Sequence, residues 1–274
     1  MILMNKTNRG VALVTGASTG IGHATAIALR DAGFRVFGTS RRAVSERSDG
    51  ITMLTCDVTD DASVAKLVDD VLAETGRLDL VVNNAGIGLI GGAEESSIAQ
   101  AQRLFDVNVF GVARVVNAVL PTMRSQKSGR IINMSSILGL IPSPFNAFYA
   151  STKHAVEGYS ESLDHEVRPY GIRVVLVEPG VTRTSFEENL TRADTPLPTY
   201  AAERARMEQL MRQWVETGDA PKVVADTVVK AATDAVPKLR YAAGKQSLQV
   251  SFLRRFVPAS AFDKSLRKQN GLPI

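Results

Sequence analysis

Short apolar runs alternate along this chain with longer stretches in which apolar positions recur every three or four residues. Val11-Ala12-Leu13-Val14 is the first run, and the glycines from Gly16 to Gly22 break it. Ala24 to Asp31 has helical spacing and stops at Gly33, a common helix end. Phe34–Gly38 and Ile51–Thr55 are the next strand-like runs, and Asp60 or Asp61 is placed to cap a helix reaching about Glu74. Further strands are predicted at Leu78–Val82, Arg130–Met134 and Ile172–Val177, with helical patterns over about 98–125 and 150–169. Apolar strands alternating with amphipathic helices make right-handed βαβ units and a parallel sheet covered on both faces. The expected fold is α/β, a doubly wound parallel sheet in one domain spanning residues 1–274. Beyond Glu178-Pro179-Gly180 the pattern loosens over 184–200, then charged helices are predicted at about 199–217 and 221–234. A lid or substrate loop is expected at about 184–218.

Composition narrows the classes. The 274 residues are 45% hydrophobic and 22% charged, enough apolar surface for a large core. Cys56 is the only cysteine, which excludes an internal disulfide and the cysteine-rich zinc modules. The net charge of +4 is uneven, since from Lys238 onward eight basic residues face one acid. A basic end without interleaved aromatic repeats is expected to be solvated or subunit-facing, so no nucleic-acid partner is expected. No uninterrupted apolar run has the length of a membrane span, and Met1-Ile2-Leu3-Met4 is too short for a signal segment. A cytoplasmic protein is expected.

The segment Thr15-Gly16-Ala17-Ser18-Thr19-Gly20-Ile21-Gly22 joins the first strand to the first helix. Glycines there allow a sharp turn and close approach of a pyrophosphate to a helix N-terminus. The same residues spell Gly16-x-Ser18-x-Gly20, the nucleophile elbow of a hydrolase. A hydrolase needs a histidine late in the chain, and the only histidines are His23, His154 and His165. A second constellation lies further on. Tyr149 and Lys153 are four apart at a helix start, so a phenol and an ammonium share one face. The ammonium is expected to lower the phenol's pKa and make it a general acid/base. Ser135-Ser136 closes an apolar strand at the carboxyl edge of the sheet, where such folds bind ligands.

These residues resemble the short-chain dehydrogenase/reductases, in their single-domain branch. Thr15-Gly16-x-x-x-Gly20-x-Gly22 is similar to that family's cofactor turn, and Asn83-Asn84-Ala85-Gly86 to its segment after the fourth strand. Asn108, Ser136, Tyr149 and Lys153 match its catalytic tetrad, and Pro179-Gly180 with Thr184 its nicotinamide-side motif. The resemblance implies a Rossmann-type sheet and a ketoreductase or dehydrogenase reaction. Tyr149 would exchange a proton with a carbonyl or alcohol oxygen, and Ser136 would polarise that oxygen. Lys153 would tune Tyr149 and bind the nicotinamide ribose, and Asn108 would hold a water. Strand alternation points Ser135 to the opposite face. Cofactor contacts are expected from Gly16, Ser18, Thr19, Gly20, Ile21, Gly22, Ser40, Arg41, Arg42, Asp57, Val58, Asn84, Ala85, Gly86, Tyr149, Lys153, Pro179, Gly180, Val181 and Thr184. Asp57 has a turn or helix-capping role as its alternative.

An NAD site wants a carboxylate after the second strand; Gly38-Thr39-Ser40-Arg41-Arg42 has none and offers two guanidiniums, so NADP(H) is expected, with NAD(H) possible. Thr19 stands where many NADP-preferring relatives carry a basic residue. Ile87, Leu89, Ile90, Leu138, Leu140, Ile141 and Phe145 are expected to flank a lipophilic small-molecule substrate, a carbonyl or secondary alcohol, with plain core packing as their alternative. Lys153-His154-Ala155-Val156-Glu157-Gly158 and Glu178-Pro179-Gly180 are similar to the hydroxysteroid and retinol dehydrogenase-like branch. No metal is expected. The alternative function is a non-catalytic NADP(H)-binding regulator. Gln246–Val257 is amphipathic and basic, expected to dock on the domain or a neighbouring subunit, with a membrane anchor as the minor reading. The family resemblance implies a homodimer or homotetramer.

Overall fold

In a computed structural model, which describes residues 9–43, 48–184, 186 and 190–272, Val11–Val14 form strand β1, buried on both faces. Residues 1–4, read above as too short for a signal, lie outside the described residues, as do 185 and 187–189 of the expected lid. Helix α1 (Gly20–Asp31) follows, then β2 (Arg35–Ser40), β3 (Thr52–Thr55), α2 (Asp61–Thr75) and β4 (Leu80–Asn83). Asp60 caps α2 by accepting from the Ala62 amide at 3.1 Å. A two-residue strand β5 (Leu89–Ile90) leads to α3 (Ile98–Phe105) and α4 (Gly111–Gln126), joined by a π turn at Asp106–Phe110. Then come β6 (Gly129–Met134), α5 (Ala147–Val167), β7 (Ile172–Pro179), β8 (Thr191–Arg192), α6 (Ala201–Glu216), α7 (Pro221–Thr233), β9 (Arg240–Ala243), α8 (Lys245–Phe256) and α9 (Ala259–Gln269).

Seven parallel strands form the sheet in the order β3-β2-β1-β4-β6-β7-β9. The chain winds outward from β1 to β3, then returns to the other side of β1 with β4. That reversal leaves a crevice at the carboxyl ends of β1 and β4, the natural ligand site of an open α/β sheet. Strand alternation sends Val11 and Leu13 to the α2–α4–α5 face, and Ala12 and Val14 to the α1–α7 face. Fully buried Asp164 ties α5 to β7, accepting from Arg168, Arg173 and the Val174 amide.

Several boundaries and elements differ from expectation. β2 runs on to Ser40 and β7 to Pro179. The seventh strand, β9, was not anticipated, because Arg-Tyr-Ala-Ala lacks an apolar run. Leu89 and Ile90 pair with Thr191 and Arg192 in a small second sheet. The helical run Ile98–Gln126 is long and apolar enough to cross a membrane by length and composition, although polar residues interrupt its apolar positions. Val112, Val115, Val116, Val119 and Met123 of this run pack into the sheet core.

Candidate active site

The crevice is built first by the turn after β1. Gly16 (φ +65°) and Gly20 (φ +57°) take left-handed backbone conformations that side chains disfavour. A Cβ on Gly22 would stand 2.2 Å from the Gly16 carbonyl oxygen and 2.4 Å from Asn84 Nδ2. Thr19 is the N-cap of α1, yet its side chain makes no capping bond. The first amides of α1 thus lack a side-chain acceptor, which is the arrangement that takes a phosphate. Ser18 and Ile21 are half-buried beside them. Asn84 braces the turn, donating to the Thr15 and Gly16 carbonyls at 3.0 and 3.1 Å. Thr15 Oγ1 in turn accepts from the Asn84 and Ala85 amides, both at 3.0 Å. Gly86 follows, exposed and close to Asn108 Oδ1.

One end of the crevice is basic. β2 ends at Ser40, and Arg41 and Arg42 follow it, both exposed. Asp57, beyond β3, spends its carboxylate on its own turn, accepting from the Thr59 amide at 3.0 Å and hydroxyl at 2.8 Å. Those bonds, with Arg41 and Arg114 nearby, hold its carboxyl below the usual range. Val58 is buried against Gly111 at the start of α4.

At the other end, the turn after β6 and the start of α5 bring Ser136, Tyr149 and Lys153 together. Ser136 is half-buried and accepts from the Leu138 amide at 3.1 Å. Tyr149 lies against it, one helical turn before Lys153. Lys153 Nζ sits 5.6 Å from the Tyr149 ring centroid and donates to the Met134 carbonyl at 2.9 Å. The expected lowering of the tyrosine by its lysine is not what this form shows. Burial pushes the phenol up to about 12, with the Ser136 bond opposing it. Burial likewise pulls Lys153 down to about 8, which Glu157 partly offsets. Asn108 sits in the π turn, a feature frequent at functional sites. Its Oδ1 accepts from the Ile87 amide at 2.9 Å, and its Nδ2 donates to the Ile87 carbonyl and Thr152 Oγ1. Both amide protons are therefore committed, so a water there falls to the remaining Oδ1 lone pair or the main chain.

Thr184 lies over Gly20, its Cβ 3.5 Å from where a Gly20 Cβ would be. Pro179 ends β7, the Gly180 amide donates to the Ala243 carbonyl, and the Val181 amide donates to Gln246 Oε1 at 3.0 Å. Phe186 covers the tyrosine, with ring centroids 6.0 Å apart. Among the residues expected to flank a substrate, Leu89, Ile90 and Ile141 are buried as packing, while Ile87, Leu138, Leu140 and Phe145 keep partial exposure. Among the described residues no cluster of three His, Cys, Asp or Glu could hold a metal.

Two features escaped the sequence reading. Behind Lys153, buried Glu157 and Glu178 face Arg240, whose Nε is 2.9 Å from Glu157 Oε2 and 3.4 Å from Glu178 Oε1. Burial raises both carboxyls, and the neighbouring Glu157 charge helps bring Glu178 to about 7. The second is Glu95, fully buried, accepting from the Gly92 and Leu197 amides at 2.7 Å and from Arg204. Against its burial, those bonds hold its carboxyl below the usual range. It fastens the segment leading into α6 to the loop after β5. Glu157 and Glu178 stood in segments noted for their family resemblance, but nothing local tied them to Arg240, or Glu95 to Arg204, since these partners come from distant elements.

Residues 10–195 match the family model described as short chain dehydrogenase. The chain belongs to the short-chain dehydrogenase/reductase family. A 3-ketodihydrosphingosine reductase from Bacteroides thetaiotaomicron is 36% identical over 94% of this chain and 96% of that protein. Retinol dehydrogenase 8 from Bos taurus is 36% identical over 83% and 79%. Among solved structures, a short-chain dehydrogenase from Streptomyces avermitilis superposes with a TM-score of 0.82 at 34% identity, covering 97% of this chain and 98% of that one. Two solved neighbours, 25% and 26% identical with TM-scores of 0.73 and 0.77 over 88% and 92% of this chain, hold NADP and NAD respectively. As a short-chain dehydrogenase/reductase, the protein is an oxidoreductase acting on CH–OH or C=O groups with a nicotinamide cofactor.

Proposed function

We propose that the protein reduces a lipophilic ketone or aldehyde with NADPH. The observation that carries this is the gathering of Ser136, Tyr149 and Lys153 at the sheet's carboxyl edge, beneath Phe186. A nicotinamide bound along the glycine turn would supply the hydride. The chain's own groups do the rest. Ser136 donates a hydrogen bond to the carbonyl oxygen and holds it in place. Tyr149, held as a neutral phenol at pH 7, gives that oxygen its proton. Lys153, still an ammonium at pH 7, stabilises the phenolate left behind.

The preference for NADP(H) rests on Arg41 and Arg42, exposed where a 2′-phosphate would lie, and on Asp57 being occupied by its own turn. The lipophilic substrate class rests on Phe186 against the tyrosine, on the partly exposed apolar residues Ile87, Leu138, Leu140 and Phe145 expected to flank the site, and on the names of the two relatives, since 3-ketodihydrosphingosine and retinol are both lipophilic. In this reading the described residues of 184–218 act as the cover of the site, fastened by Glu95 to the loop after β5. A non-catalytic regulator would have no use for the intact Ser136–Tyr149–Lys153 set. The test is a titration with NADPH and NADH read by Trp214 emission, followed by turnover of long-chain ketones. NADPH is expected to bind at least about tenfold tighter than NADH, and Tyr149→Phe to lose turnover while keeping NADPH binding. Equal affinities would withdraw the role of the arginines, and surviving turnover would withdraw that of Tyr149.

A further inference from the structure

The last two helices leave apolar side chains uncovered. α8 docks through Ser247, which is fully buried and donates to the Glu178 carbonyl at 2.6 Å. Around and beyond that anchor, Leu248 is 60% exposed, Phe252 61%, Leu253 44% and Phe256 63%. Leu248, Phe252 and Phe256 are four apart and share one helix face, with the two phenyl centroids 4.8 Å from each other. The helix itself packs on the domain through Ser247, while this apolar face is left uncovered.

Charge surrounds the apolar face. Lys245, Arg254, Arg255, Lys264 and Lys268 are exposed, and among the described residues none of them pairs with a carboxylate. The Arg254 and Arg255 guanidiniums lie 5.6 Å from the rings of Phe262 and Phe256. Asp263 is the only acid from Lys245 onward. We infer that α8 and α9 form a docking surface for an anionic lipid bilayer, the aromatic and leucine side chains entering the acyl boundary and the cations meeting the headgroups. Exposed aromatics rimmed by unpaired cations are the composition such an interface selects. A second copy fits worse, because a two-fold contact over this face would bring together two sets of these cations with only Asp263 of each copy to answer them.

The location gives the docking a use. α8 packs on the Ile137–Gly139 turn that follows Ser136. Asn270, Gly271 and Leu272, just past α9, line a cavity of ≈ 340 Å³ with Pro144 and Phe145, close to the start of α5. A bilayer held on these helices would lie beside the turn that follows Ser136 and the loop leading into α5. The docking itself does not depend on the reductase reading.

The test is flotation of the full chain with vesicles of phosphatidylcholine alone or mixed with phosphatidylglycerol, at low and high salt, with light scattering on the free protein. The protein is expected to float with the anionic vesicles at low salt, about tenfold less with phosphatidylcholine alone, and less at high salt. F252S/F256S and R254E/R255E are each expected to reduce flotation about tenfold while the melting temperature stays unchanged. No flotation at low salt, or flotation of F252S/F256S equal to wild type, overturns the proposal. A wild-type dimer that F252S/F256S converts to monomer assigns the face to a second copy instead. Flotation reads binding without turnover, so its failure and that of the reductase reading are separate results.

Discussion

Replacing Lys153 by Met should make the cofactor-free protein more stable at neutral pH, although it removes a group the proposed reaction needs. The lysine is buried, and its ammonium is held at about 8 rather than 10.5. That difference amounts to about 3 kcal/mol of folding stability withheld wherever both folded and unfolded chains carry the proton, which means below pH 8. Between about 8 and 10.5 the folded protein sheds a proton that the unfolded chain keeps, so stability climbs with pH and the penalty fades. Methionine has similar length and no charge, but it loses the 2.9 Å bond to the Met134 carbonyl. That loss costs about 1 kcal/mol, leaving a net gain of about 2 kcal/mol at pH 7, or about 4 °C for a chain of this size. Thermal melts of wild type and Lys153→Met at pH 7 and near 10 measure it. A variant that melts lower at pH 7, or an advantage that is the same at both pH values, would refute the electrostatic account of the site.

Three other outcomes follow from the same geometry. Gly22→Ala puts a methyl 2.2 Å from the Gly16 carbonyl, so calorimetry should find NADPH binding weakened by about two orders of magnitude or more and stability lowered by about 1–3 kcal/mol. Glu178 is raised from 4.5 to about 7, so its folded form binds extra protons and the chain loses stability as pH rises through that window. Denaturant titrations should therefore show Glu178→Gln gaining about 1–2 kcal/mol at pH 8 and nothing at pH 4. Glu95→Gln keeps the shape but drops the charge facing Arg204; steady-state kinetics should show KM for the ketone rising about tenfold with NADPH affinity unchanged. A change in NADPH affinity instead would remove Glu95 from the cover and return it to general packing.

How much was legible in the sequence depended on whether the signal was local. Val11–Val14, Ile172–Val177 and the helices between them declared themselves because a doubly covered parallel strand must be apolar throughout, and a covered helix apolar on one stripe. The glycine turn was equally plain, since its backbone conformations and close approaches tolerate little else. β9 was not, because a short edge strand paired on one side needs little apolar character. The tyrosine's raised pKa was also invisible, as it depends on how deeply the ring sits rather than on which residue lies four places on.

The linear chain by itself determined the long apolar strands and the helices between them, the glycine turn and the candidate set Ser136, Tyr149 and Lys153, all read from neighbours within a few residues. Only tertiary structure decided that Asn108 would spend its amide on Ile87 and Thr152. It alone set Glu157 and Glu178 around one arginine from an unforeseen strand, and left Phe252 and Phe256 facing outward. Each of these joins residues far apart in the chain, where burial and electrostatics are set by what the fold brings near, and no local pattern records that.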